Sequence, residues 1–303
     1  MFRKILYPTD LSNNSEVILR GLYELKRIGV SEVVLAHIVE YDAVGLIEGG
    51  VDIDKFVMKL KNKAGKKLSE FASILKRDFE VKLLPPIPSV NPVEEIVKIA
   101  NNEDVSLILL GSKSSGLKSA LMGSVSEGVV REVEKPILVL KMKPDTGEGY
   151  YGMVFRRLFD KIIYPHDLSD ISQEIKDFVK KASLLGGREV IIVHVVEIAD
   201  IIDKQVGKED VMHPLVPISN LAEMLSEHWM EAKNHLDKIK RDFVGAGIKV
   251  KTILRVGSPN KEIPKIASME GGSVIMISSK KGLTPNVDPI IRYSEIPTIV
   301  FRS

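Results

Sequence analysis

A glycine- and serine-rich stretch, Gly111-Ser112-Lys113-Ser114-Ser115-Gly116, follows the apolar run Leu107-Ile108-Leu109-Leu110. It leads to Gly123-Ser124-Val125-Ser126-Glu127, where a helical pattern begins. Glycines let backbone N–H groups approach an anion closely, and a helix N-terminus adds unpaired donors and a favourable dipole. The chemistry this arrangement suits is a phosphate cradle, with Ser124 or Ser126 placed to cap the helix or to meet a phosphate oxygen. A plain capped strand-to-helix loop uses the same residue types. The stretch is not a P-loop, because Leu117 separates Gly116 from Lys118, whereas a Walker lysine follows its glycine directly.

Two further segments fall where strands should end: Pro8-Thr9-Asp10, and His37-Ile38-Val39-Glu40. Asp10 is the one carboxylate worth singling out. No second acid, histidine or lysine is spaced to work with it, and there is no Gly-x-Ser-x-Gly elbow. No catalytic residue is therefore nominated. Slow hydrolysis through a bound metal and a positioned water stays open. His37 and His194 occupy matched positions and read as fold-level residues. His228 and His235 lie two helical turns apart, farther than metal-ligand pairs at i and i+4, and with His213 they read as packing or surface residues.

The elements that position these residues come twice. Lys4-Ile5-Leu6-Tyr7-Pro8-Thr9-Asp10-Leu11-Ser12 recurs as Lys161-Ile162-Ile163-Tyr164-Pro165-His166-Asp167-Leu168-Ser169, an offset of 157. Val33 to Glu40 recurs as Val190 to Glu197 at the same offset. Pro92 and Glu95-Ile96 match Pro259 and Glu262-Ile263 at an offset of 167, which places an insertion of ten residues around 198–219. Each copy alternates short apolar runs with helical patterns, the mark of βαβ units and a parallel sheet. Strands are expected near 3–8, 33–39, 79–84, 106–110 and 136–141, and near 160–165, 189–196, 248–254, 273–278 and 297–301. In the first copy helices are expected near 14–28, 54–77, 92–102 and 124–133. The expected organisation is a first domain over 1–142, a linker over 143–158 that holds Pro144, Gly147, Gly149 and Gly152, and a second domain over 159–303.

Composition narrows the classes of function. The 303 residues are 44% hydrophobic, with 43 basic and 41 acidic side chains and no cysteine. Disulfides, thiolate metal sites and cysteine nucleophiles are excluded. The Lys-rich run 59–67 has no interleaved aromatics and reads as a solvated helix face, so no nucleic-acid partner is expected. No apolar run reaches the roughly 20 residues that span a bilayer, and the start lacks a signal-peptide pattern. A soluble cytoplasmic protein is the expectation.

Together, Lys4–Ser12, the strand ending in His37, Gly123-Ser124-Val125-Ser126-Glu127 and Lys135-Pro136-Ile137-Leu138-Val139-Leu140 resemble the universal stress protein family over nearly the whole chain, as two tandem domains. The resemblance implies a Rossmann-like, adenine-nucleotide-binding α/β fold, each domain a five-stranded parallel sheet in the order 3-2-1-4-5 flanked by helices. It also implies pairing of domains through their last strands. ATP-binding members share Gly-x2-Gly-x9-Gly-Ser/Thr. Here Gly111 opens that pattern, Ser114 stands at its second glycine, and Gly123-Ser124 close it, with eight residues rather than nine between. The resemblance implies Asp10 at the ribose and a possible Mg²⁺, Pro8, Thr9 and Ile38 around adenine, and Gly111, Ser112, Ser114, Gly123, Ser124 and Val125 at the phosphates.

The second copy departs further. Its fourth strand ends in Ser278-Ser279-Lys280, and the Gly123-Ser124 positions hold Thr284-Pro285, where proline lacks the N–H a phosphate would use. The expected function is an ATP- or AMP-binding sensor or regulatory module of the stress response, with an intact first site and a degenerate second one. The expected assembly is an internal pseudo-dimer and a homodimer, with a further protein partner. A slow Mg-dependent ATP hydrolase and a nucleotide-independent interaction protein are the alternatives.

Overall fold

A computed structural model describes residues 1–50, 52–113, 123–143, 146–147, 149–168, 173–198, 218–279 and 287–302. The chain divides into two compact units, one of Met1–Leu158 together with the last strand of the chain, the other of Phe159–Ser278 and the helix that follows it.

The first unit runs β1 (Lys4–Pro8), α1 (Asn13–Gly21), a 3₁₀ helix (Leu22–Ile28), β2 (Glu32–Ala36), β3 (Ile38–Glu40), α2 (Ala43–Glu48) and α3 (Ile53–Leu75). It continues with β4 (Glu80–Leu83), β5 (Ile87–Ser89), α4 (Pro92–Asn102), β6 (Leu107–Lys113), α5 (Ser124–Glu132), β7 (Ile137–Met142) and α6 (Gly149–Arg156). The second unit holds β8 (Lys161–Pro165), α7 (Gln173–Leu185), β9 (Glu189–Val196), α8 (Ile218–Gly245), β10 (Lys249–Val256), α9 (Pro259–Met269), β11 (Val274–Ser279) and α10 (Val287–Tyr293). The chain's last strand is β12 (Thr298–Arg302).

In the first unit the parallel strands lie in the order β4-β2-β1-β6-β7, which is 3-2-1-4-5 when the five main strands are counted along the chain. Lys4 pairs with Glu32, Ile5 with Leu107 and Ile108 with Ile137. β12 closes this sheet antiparallel to β7, with Thr298 opposite Val139 and Val300 opposite Ile137. The second unit repeats the order as β10-β9-β8-β11. Ile5, Leu6 and Tyr7 in β1 and Leu107 to Leu110 in β6 are all buried, as expected of strands covered on both faces.

Three departures from the periodicity have local causes. The helix expected over 14–28 tightens to 3₁₀ after Gly21, because α6 crosses there. A Cβ on Gly21 would stand 2.6 Å from the Gly152 nitrogen, so only glycine admits this approach. The strand expected over 33–39 breaks at His37, and its end, β3, pairs instead with β5 in a separate two-stranded sheet. The segment read as a linker contains α6, whose Tyr151 and Phe155 are buried. The Tyr151 hydroxyl donates to the Lys141 carbonyl and accepts from the Lys143 N–H, each at 3.1 Å. Its glycines hid the helix from a reading by composition. Among the described residues no helix is long and apolar enough to cross a membrane.

Candidate functional site

Parallel strands carry all their carboxyl ends to one edge of a sheet. In the order 3-2-1-4-5 the crossovers reverse direction between β1 and β6, leaving a crevice at that edge. Pro8, Thr9 and Asp10 follow β1, Ile38 opens β3 just past β2, and Gly111 and Ser112 lie near the end of β6. Ser126, in the first turn of α5, donates its hydroxyl to the Gly111 carbonyl at 3.0 Å, which fastens the start of α5 to the end of β6. Gly123, Ser124 and Val125 are thereby brought to the same edge. Ser114 lies outside the described residues.

The β1 end is tightly built. The Thr9 N–H donates to the Ala36 carbonyl at 2.9 Å, and the Thr9 hydroxyl, 5% exposed, accepts from the Leu11 N–H at 3.0 Å. That bond holds Leu11 at φ +58°, a left-handed conformation a leucine adopts only under constraint. One Asp10 oxygen accepts from the Ser12 N–H at 2.9 Å and from the Ser15 hydroxyl. Ser12 in turn caps α1 by accepting from the Ser15 N–H at 3.2 Å. The Asp10 carboxylate is thus oriented by its own loop, while the residue as a whole stays exposed.

His37 takes part through its ring. A carbonyl can only accept, so Nδ1–H donates to the Thr9 oxygen at 2.8 Å and ties the ends of the first two strands together. His194 makes the same bond to the His166 oxygen at 2.7 Å. The repeated histidines therefore have a structural role in each copy.

The β6–α5 side has two features that bear on an anion. Gly123 is the N-cap of α5 with φ −57° and ψ 145°, and no side chain caps the helix. Among the described residues a Cβ there would meet nothing within 4 Å, so neither backbone strain nor packing against them calls for glycine. Ser112 is 1% exposed, and its hydroxyl has no hydrogen-bond partner among the described residues. Such an orphan costs about 1–3 kcal/mol. Gly111 differs from Gly123: a Cβ on it would press against the Met142 sulfur at 2.9 Å, so its smallness serves core packing. Ser126, expected to cap the helix or meet a phosphate, spends its hydroxyl on Gly111 instead.

In the second unit His166 replaces Thr9, a change whose purpose the sequence conceals. Its Nδ1 accepts from the Leu168 N–H at 2.9 Å and holds Leu168 at φ +64°, reproducing the Thr9–Leu11 turn with an imidazole. The ring is 3% exposed, and burial pushes its pKa down to about 4. Thr284 and Pro285 lie outside the described residues. No group of three potential metal ligands is gathered at one point among the described residues.

Comparison with known proteins places this geometry in a family. The sequence profile of the universal stress protein family matches residues 1–141. A universal stress protein of Methanocaldococcus jannaschii is 36% identical over 157 residues, covering 47% of this chain and 97% of that protein. One of Methanothermobacter thermautotrophicus is 34% identical over 140 residues, covering 43% and 89%. The crystal structure of a universal stress protein from Archaeoglobus fulgidus superposes with a TM-score of 0.71 at 25% identity, covering 99% of this chain and 96% of that one. On these matches the chain belongs to the universal stress protein family.

Proposed function

We propose that the first unit binds an adenine nucleotide, ATP or AMP, at the ends of β1, β2 and β6, and acts as a sensor or regulatory module. The observation that carries this reading is Gly123: a helix terminus with no side-chain cap, where glycine answers no need of the backbone or of its neighbours among the described residues. A phosphate seated on the N–H groups of Ser124 and Val125 supplies the need, since a Cβ would stand in its way. The buried Ser112 hydroxyl gains a partner in the same step. Asp10 serves the ribose and any Mg²⁺ that accompanies the phosphates, and Pro8, Thr9 and Ile38 border the base. Occupancy acts through different affinities of the nucleotide for two assembly states, with a second copy or another protein as partner.

Native mass spectrometry of the full chain with ATP or AMP and Mg²⁺ tests this. One nucleotide per chain is expected, lost in Gly123→Val, whose extended backbone a β-branched residue adopts without strain. Unchanged melting of the variant separates lost binding from lost folding. No adduct in the wild-type chain at millimolar nucleotide rejects the sensor reading and leaves a nucleotide-independent interaction protein. Release of phosphate that Asp10→Ala abolishes would convert the module into a slow hydrolase.

A further inference from the structure

The sheet order of the second unit ends on β10, which pairs with β9 over all eight of its residues, Lys249 to Val256, and has no strand on its other side among the described residues. The first unit stops the same edge early. Its end strand β4 finishes at Leu83 after four residues, ahead of Pro85, Pro86 and Pro88. Short length and proline are common ways of blunting a sheet edge. The second copy has no proline between 249 and 256. We infer that β10 receives an extended, acidic segment of a partner protein as an added strand. The site lies in the second unit and does not rest on the nucleotide reading.

The backbone fixes which groups are on offer. The Lys249 and Gly257 N–H groups donate to the Arg188 and Val196 carbonyls on the β9 side, at 2.8 and 3.1 Å. Alternation along the strand turns the N–H and C=O groups of Lys251, Ile253 and Arg255 toward β9 as well, and those of Val250, Thr252, Leu254 and Val256 outward. On that outward side none of the four has a hydrogen-bond partner among the described residues.

The side chains select the occupant. A groove of about 430 Å³ lies along β10, with Trp229, Lys233 and Leu236 of α8 on one side. Leu254 packs toward α8 against Val196 and Met224, whereas Lys251 turns the other way, to Glu270 just past α9, at 2.7 Å. The two faces of an added strand therefore meet different surroundings. One is apolar and holds Trp229; the other holds Lys249, Lys251 and Arg255. Lys249 has Glu189 at 3.7 Å, Glu270 is spent on Lys251, and Arg255 and Lys233 have no ion pair among the described residues, with Asp237 the other acid of the groove. Like charges across a strand pair repel, so a second β10 is a poor occupant. A strand that alternates acidic and apolar residues suits both faces, its main chain supplying affinity and its side chains specificity.

Trp229 is the chain's one tryptophan, so its fluorescence reports the groove. The full chain is titrated with a peptide of alternating glutamate and valine, eight residues long to match β10, and with its lysine–valine counterpart. The acidic peptide should shift Trp229 emission, saturating at one equivalent, and should slow amide exchange at Val250, Thr252, Leu254 and Val256. Lys251, Ile253 and Arg255 are bonded to β9 beforehand and should change little. The basic peptide should not bind. Arg255→Glu should weaken binding by up to about fivefold. Thr252→Pro, which removes an outward N–H and no bond to β9, should abolish it. If Thr252→Pro misfolds, the alternating exchange pattern of the wild-type chain decides. Equal binding of both peptides, binding without protection of those four amides, or no binding at millimolar peptide overturns the assignment. So does self-association of the free chain that Arg255→Glu alters, which would make a second copy the occupant.

Discussion

Glycine-to-alanine replacement has opposite expected signs at Gly21 and Gly65. Both residues are helical, so intrinsic propensity alone predicts that alanine stabilises each by up to about 1 kcal/mol. At Gly65, inside α3, a new Cβ meets, among the described residues, only the edge of Pro86 at 3.9 Å, and the full gain is expected. At Gly21 the same methyl would fall 2.6 Å from the Gly152 nitrogen and 2.8 Å from the Tyr151 carbonyl carbon. Those are backbone atoms of α6, which cannot rotate away. Overpacking of this kind costs about 1–3 kcal/mol, and more where backbone must move. The helix gain offsets part of it, leaving Gly21→Ala destabilising by about 1–2 kcal/mol. At about 2–4 °C per kcal/mol for a domain of this size, the two variants should melt on opposite sides of the wild type by several degrees. Scanning calorimetry of the full chain reads the shift, and limited proteolysis within 143–158 reads release of α6. If Gly21→Ala melts as high as Gly65→Ala and α6 stays protected, the close crossing of α1 and α6 is wrong.

Ser112→Ala removes a buried orphan hydroxyl, so it should leave the nucleotide-free protein as stable or slightly more stable in urea while weakening ATP binding in calorimetry. Arg188 sits exposed at φ +55° before β9, and Arg188→Gly should raise the urea midpoint by about 1 kcal/mol, the cost of a left-handed non-glycine residue. A lower midpoint would show that the turn is not strained. The Arg156 guanidinium beside Glu24, itself 4% exposed, holds that carboxyl below the usual carboxylate range. Its contribution is present above the ordinary carboxylate pKa of 4.5 and is lost as pH falls through the lower folded value. In Arg156→Met, burial is left to raise the Glu24 pKa, with a Tyr23 side-chain hydrogen bond and Arg27 at 3.9 Å to oppose it. The slope of stability against pH below neutrality should flatten or reverse, as acid denaturation monitored by circular dichroism would reveal.

The sequence by itself determined the elements, their order and the edge of the sheet that gathers the candidate site residues. Apolar runs such as Leu107–Leu110 have to be buried strands, the offset copies have to share a fold, and parallel strands have to deliver Asp10, Ile38 and Gly123 to one edge. These follow from periodicity and connectivity, which are properties of the chain. What periodicity does not encode is which atoms meet across elements. Only the tertiary structure separated Gly111, small because Met142 presses on it, from Gly123, small with nothing near it among the described residues. It turned a glycine-rich linker into a helix seated on Gly21, and it made His166 a substitute for Thr9 at an identical turn. In each case the deciding quantity is a contact between residues distant in sequence or a hydrogen bond to backbone, and it exists only after the chain has folded.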